Sequence, residues 1–141
     1  MSAPRFLLDT NILSEPLRTQ PNPGVIQSLR ERKGLLATAA IVYHELLYGC
    51  NRLPSQSRKR LTIATYLRQE IADKLLLLPY DSVAAEWHAT ERARLVQIGK
   101  TPPFVDSQIA AIAATNNLTL VTNNVSDYSD FAGLTLENWF V

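Results

Sequence analysis

Short apolar runs alternate with longer stretches of helical spacing along this 141-residue chain. The runs are residues 5–9, 35–38, 75–78, 118–122 and 134–137, and each reads as a strand. Between them, helices are expected over 25–32, 41–50, from Ser57 to about Asp73, over 81–98 and over 106–117, with a loop and short helix over 123–131. Gly34 and Gly99 stand where two of the helices should end. Leu61, Ala64, Leu67 and Ile71 mark the inward face expected of the long helix. Ala110, Ala111, Ala113 and Ala114 would let the 106–117 helix lie close to a sheet. Strands that are apolar throughout, alternating with helices, predict an α/β fold. Its form is a three-layer α/β/α sandwich around a mostly parallel sheet of four to five strands. No repeat, low-complexity tract or linker interrupts it, so residues 1–141 are read as a single domain.

The first run stops on a carboxylate, in Phe6-Leu7-Leu8-Asp9-Thr10-Asn11. In open α/β sheets, ligands bind outside the carboxyl ends of the strands, which makes Asp9 a site candidate. The alternative is an Asp that only caps the next helix. Glu45 lies in Ile41-Val42-Tyr43-His44-Glu45-Leu46-Leu47-Tyr48, apolar almost all the way round as a helix and therefore expected to be buried. A charge there is costly unless it is paired or bound to a metal, so Glu45 is a second candidate. The plainer readings are a Glu on the helix's outer face or one paired with a buried Arg. Asp106 opens the Ala-rich helix after Pro102-Pro103, where the helix dipole alone would favour an acid. Thr122-Asn123-Asn124-Val125-Ser126-Asp127 ends the fourth strand on the same sheet edge as Asp9; either Asn also suits a turn, and Asp127 a helix start. Carboxylates gathered in one crevice repel each other unless a hard cation lies between them. Mg²⁺ or Mn²⁺ suits such oxygen donors. A cation held this way can activate water toward a phosphodiester and offset phosphoryl charge. There is no Gly-rich phosphate loop and no convincing Ser or Cys nucleophile.

Net charge is +1, but the halves differ: residues 1–74 hold 11 Lys/Arg against 6 Asp/Glu, and residues 75–141 hold 3 against 7. A nucleic acid would meet a local patch, with Arg52, Arg58, Lys59 and Arg60 as the obvious cluster, unless that cluster is simply a solvated helix face. The single cysteine, Cys50, excludes an internal disulfide and a cysteine-rich zinc site, and its apolar setting predicts a buried filler. The start has no signal-peptide layout and no apolar run spans a bilayer, so a soluble cytoplasmic protein without membrane contact is expected.

Together, Leu-Leu-Asp9-Thr-Asn11, Glu45 in its apolar helix, Asp106-Ser-Gln-Ile-Ala-Ala-Ile-Ala and Val-Thr122-Asn-Asn124-Val-Ser-Asp127-Tyr resemble the PIN domain, and within it the VapC-type toxins of bacterial toxin–antitoxin pairs. The likeness runs on to the closing Gly133-Leu-Thr-Leu-Glu-Asn-Trp139. It implies an endoribonuclease dependent on Mg²⁺ or Mn²⁺, with Asp9, Glu45 and Asp106 as metal-holding acids. Thr10, Asn11 and Thr122 are implied as supporting hydrogen-bonding residues. Many PIN domains carry an Asp two residues after the strand-four Thr, where this chain has Asn124; Asp127 then serves as the late acid, with Asn124 left to contact metal-bound water. The resemblance also implies a homodimer, or a hetero-oligomer with a VapB-like antitoxin whose C-terminal segment covers the groove. The basic cluster would hold the RNA backbone.

Three other readings compete. A haloacid-dehalogenase-like phosphatase generally wants a second acid two residues after the first, and Asn11 stands there. A receiver domain wants paired acids ahead of its phosphorylated Asp and a late Lys, and the chain has neither. A PIN-like module that binds RNA or a protein partner without cutting stays open because of Asn124.

Overall fold

The computed structural model describes residues 3–141. A five-stranded sheet runs through it in the order β3-β2-β1-β4-β5, with every neighbouring pair parallel. The strands are β1 (Phe6–Leu8), β2 (Leu36–Ala39), β3 (Leu76–Leu78), β4 (Thr119–Val121) and β5 (Leu136–Glu137). The helices are α1 (Thr10–Leu13), α2 (Pro23–Glu31), α3 (Ala40–Asn51), α4 (Arg58–Tyr66), α5 (Ser82–Gln97), α6 (Phe104–Thr115) and α7 (Val125–Tyr128). A 3₁₀ turn (Glu15–Leu17) follows α1, and a π-helical turn (Leu67–Ala72) continues α4.

β1 lies at the centre because it is apolar on both faces. Leu7 and Leu8 are wholly buried, and their registers place Leu8 beside Thr38 on one side and Val121 on the other. Burying each such leucine contributes about 1.5–3 kcal/mol. From β1 the chain winds outward through β2 to β3, then crosses to the opposite side to lay down β4 and β5. The reversal leaves a crevice between the carboxyl ends of β1 and β4, the place where open parallel sheets bind ligands.

The helix ends follow from local chemistry. Asn22, Ser57 and Asp81 cap α2, α4 and α5 through their side chains. Gly34 and Gly99 take positive φ just beyond α2 and α5, a region closed to most side chains. On α6, Ala110, Ala111 and Ala113 are fully buried, so the helix seats close against β4 and α5.

One expected feature is corrected. The inward stripe of the long helix does not hold: Leu61 is 69% exposed and Ala64 is also exposed. The buried side is instead built from Leu67 and Ile71, with Ile63 and Tyr66 partly covered, and the Tyr66 hydroxyl donates to the Leu13 carbonyl at 2.6 Å. The π-turn begins at Leu67 and changes the helical phase, so a constant spacing of three to four residues misassigns the first half. The sheet is as expected in strand number and direction, and every pair in it is parallel. Among the described residues no helix is long and apolar enough to cross a membrane.

Candidate active site

Asp9 sits where β1 turns directly into α1, and it does two things at once. Its Oδ1 accepts the Thr10 backbone N–H at 2.8 Å, capping α1, while its Oδ2 accepts the Thr122 hydroxyl at 2.8 Å. The cap therefore uses only one oxygen, and the other faces the β1–β4 crevice. Thr122 is fully buried, and its oxygen also accepts the Asn124 backbone N–H at 3.0 Å. That second contact leaves the hydroxyl proton committed to Asp9. Asn11 ties the two strand ends together, its Oδ1 accepting the Asn123 N–H at 3.0 Å. The side chain of Asn124 is exposed, and it is the backbone of that residue that is tied into the site.

Glu45 is exposed, which corrects the expected burial. Only Val42 and Cys50 of α3 are buried; Ile41, Tyr43, Leu46 and Leu47 are half-covered, and Tyr48 is 59% exposed. α3 borders the sheet's carboxyl edge instead of passing through the core, so the desolvation argument for Glu45 fails. The residue nonetheless faces the crevice, where its Oε2 accepts the Thr10 hydroxyl at 3.2 Å. His44 is exposed and stacks on Tyr48.

Asp106 projects from the first turn of α6, half-covered. Burial pushes its carboxyl above the usual range, and the charges of Asp9 and Asp127, then Glu45, push it further the same way. Carboxylates from β1, α3, α6 and α7 thus act on one point. Asp127 itself is exposed, on the first turn of α7.

A residue absent from the sequence-level candidates joins them. Tyr128 is wholly buried, and its hydroxyl lies 3.4 Å from Asp9 Oδ2 and 3.4 Å from Asp106 Oδ1. Burial and the two acids hold its phenol far above the ordinary range, so it stays protonated. The one signal in the sequence was its position directly after Asp127, an aromatic that a short helix would turn inward.

The donor set is oxygen only: carboxylates, hydroxyls and amides, with no imidazole or thiol bonded to the acids. Among the described residues no three acidic, imidazole or thiol groups stand close enough to enclose an ion. Hard divalent cations require no such cage, since they bind through one or two carboxylates and retain waters. The neighbouring charges that raise the Asp106 carboxyl are what a cation would relieve. The residues present therefore fit a hard divalent ion.

The basic cluster lies at the far end of α3 and the start of α4. Arg52 is seven residues beyond Glu45, two turns along the same side of α3 and about 10 Å away along its axis. Its guanidinium lies over Tyr48. Arg58, Lys59 and Arg60 open α4, which has no acid in its first turn. Cations at a helix N-terminus oppose the dipole, so local stability does not explain them. Arg60 is partly committed, donating to the Leu53 carbonyl at 3.1 Å; Arg58 and Lys59 are exposed. Cys50 is buried as expected, its thiol directed at the Arg60 carbonyl.

Comparison with known proteins agrees with this geometry. The chain is 29% identical over 139 residues to the tRNA(fMet)-specific endonuclease VapC of Shigella flexneri, covering 96% of this chain and 98% of that one. It is 34% identical over 128 residues to the toxin FitB of Neisseria gonorrhoeae, covering 87% and 90%. Among solved structures, FitAcB from Neisseria gonorrhoeae superposes with a TM-score of 0.84 at 31% identity, over 94% of this chain and 96% of that one. VapBC2 from Rickettsia felis, bound to a DNA fragment from its promoter, superposes with a TM-score of 0.81 at 27% identity, over 98% and 99%. The family model of the PIN domain matches residues 6–133, a span that includes Asp9, Glu45, Asp106 and Asp127, and this chain belongs to the PIN domain family.

Proposed function

We propose that this protein is the endoribonuclease toxin of a toxin–antitoxin pair, cutting RNA with a divalent cation held by Asp9, Asp106 and Glu45. The observation that carries the reading is the convergence on the β1–β4 crevice. Burial and the charges of Asp9, Asp127 and Glu45 raise the Asp106 pKa together, in a chain whose relatives are named as ribonucleases and toxins. PIN-domain nucleases generally need a divalent metal; the all-oxygen donor set favours Mg²⁺ or Mn²⁺ over zinc. When bound, such a cation supplies water activation and charge neutralisation at the phosphoryl group.

The chain's own residues do the rest. Thr122 and the α1 N-terminus fix both oxygens of Asp9, so the carboxylate is oriented before substrate arrives. Thr10 steadies Glu45 at the open side of the crevice. Asp127 adds negative charge beside Asp106, and the Asn124 backbone keeps the Thr122 hydroxyl aimed at Asp9. Arg52, Arg58, Lys59 and Arg60 draw the RNA backbone toward a centre that would otherwise repel it. The antitoxin covers the crevice with its C-terminal segment and has a second, apolar seat. Leu13, Ile26, Leu29 and Leu75 line an apolar groove of about 640 Å³ between α2 and the π-turn, with Arg30, Lys33 and the Lys74–Glu70 pair among its lining residues. An antitoxin segment with apolar anchors and acidic flanks matches it.

The test is incubation of the purified protein with mixed RNA and Mg²⁺ or Mn²⁺, against EDTA and against Asp9→Asn. Cleavage that needs the metal and disappears in the variant is the expected result. RNA binding without cleavage under every condition would favour the non-cutting module.

A further inference from the structure

Tyr128 has no part in the expected acid set, yet its hydroxyl stands between two of the crevice acids. Asp9 comes from the junction of β1 and α1, Asp106 from α6 and Tyr128 from α7, so three separate parts of the fold meet at this oxygen. At 3.4 Å from each carboxylate oxygen, it is too long for a full hydrogen bond to either and equally placed to both. A phenol carries one proton and can donate to only one acceptor at a time. It therefore keeps the two acids apart and does not bind one tightly.

The ring cannot drift from this position. It packs on Phe131, with centroids 6.3 Å apart, and Phe131 packs on Trp87 of α5 at 6.0 Å. The segment that follows is pinned to α5 as well. Arg94 donates to the Asp130 carbonyl at 2.8 Å, Lys100 pairs with the Asp130 side chain at 2.7 Å, and the Ala132 N–H donates to Glu91 at 2.7 Å. The phenol is thus the tip of a strut fixed to α5, reaching into the acid pair.

We propose that Tyr128 is a positioning residue for the divalent cation: its buried hydroxyl, held between Asp9 and Asp106, sets the spacing of the two carboxylates so that the site is formed before the ion arrives. This rests on the function proposed above. Groups that orient the acids of a metal site typically change metal affinity by about 10–100-fold when removed, and the long contacts here point to the lower end of that range.

Tyr128→Phe keeps the ring and its packing and removes only the oxygen. The experiment measures Mn²⁺ binding calorimetrically to the whole protein as wild type, Tyr128→Phe, Asp106→Asn and the double variant, with thermal unfolding in EDTA alongside. The expected result is roughly 10-fold weaker Mn²⁺ binding in Tyr128→Phe, with an unfolding temperature close to wild type. In the Asp106→Asn background the phenol has lost half of its purpose, so removing it should add little further loss. Cleavage by Tyr128→Phe should recover as Mn²⁺ is raised, a shift in the metal requirement and not in the saturated rate. Wild-type affinity in Tyr128→Phe overturns this inference and leaves the proposed function standing, as does a full additional loss in the double variant. A wild-type protein that binds no Mn²⁺ overturns both.

Discussion

Two clusters of charge in this molecule are built on opposite principles. Where α5 meets the segment after α7, every acid has a cation or an N–H. Glu91 is buried, grips the Arg94 guanidinium with both oxygens, and accepts the Ala132 N–H. The hydrogen bonds from Arg94 hold its carboxyl below the usual range, outweighing its burial. At the β1–β4 crevice, Asp106 has other acids for neighbours and no cation, and its carboxyl is raised. The first cluster joins elements together. The second is held together by the surrounding fold against its own repulsion. Charge left uncompensated in a crevice marks where a ligand must supply the missing partner, and strongly shifted groups gather at such places.

The sharpest break between the two is in activity. Asp106→Asn should lower RNA cleavage by about 10²–10³-fold, the scale of losing a principal electrostatic group, with no loss of unfolding temperature in the absence of metal. Glu91→Gln should leave the crevice acids in place and retain most of the cleavage. Rate assays paired with thermal unfolding check both; a cleavage defect in Glu91→Gln as large as that in Asp106→Asn would erase the distinction.

Stability should respond in the reverse order. Glu91→Gln leaves the Arg94 pairing and the Ala132 contact weakened and should cost about 1–3 kcal/mol, read from urea unfolding. Glu45→Gln alters an exposed residue and should change stability by no more than about 0.5 kcal/mol.

Acid titration should separate the clusters by sign. Glu91 has a folded pKa below its unfolded one, so its contribution is complete above the unfolded pKa and is lost as pH falls through the folded value. Asp106 has a folded pKa above its unfolded one, so its ionised form costs stability at neutral pH, and that cost is relieved as pH falls through the raised value. Unfolding free energies measured from pH 7 down to 4 should show a steeper acid loss in Asp106→Asn than in wild type and a shallower one in Glu91→Gln.

The smallest effect tests the contrast among cations. Arg94 is spent on Glu91, whereas Arg58 and Lys59 stand exposed at the unfavourable end of α4. Reversing the charge of both should weaken RNA binding by about 10-fold at low salt and flatten its salt dependence, with no loss of fold in circular dichroism.

Much of this was legible in the sequence, for identifiable reasons. The run ending at Asp9 could be seen as a central strand because both faces of a parallel sheet are buried and its residues show no alternation. Asp106 could be placed at a helix start by the two prolines before it. Glu45 was singled out for a burial it does not have: the apolar letters of α3 do not reveal that the helix borders the sheet and leaves Tyr48 in solvent. The Leu61 face was misplaced because a π-turn cannot be seen in a spacing rule. Tyr128 carried only the weak signal of its place after Asp127 and otherwise looks like a core aromatic, and the Glu91–Arg94 pair looks like an ordinary surface pair on a helix.

By itself the sequence determined the alternation of strand and helix, the caps and glycines that bound the helices, and the acids at the end of β1 and in the first turn of α6, because these depend on residues adjacent along the chain. The tertiary structure alone decided which side of α3 and α4 is covered and that Tyr128 reaches between Asp9 and Asp106. Those outcomes depend on which distant elements share a boundary, and the strand order that sets the boundaries follows from packing the whole set of apolar faces at once.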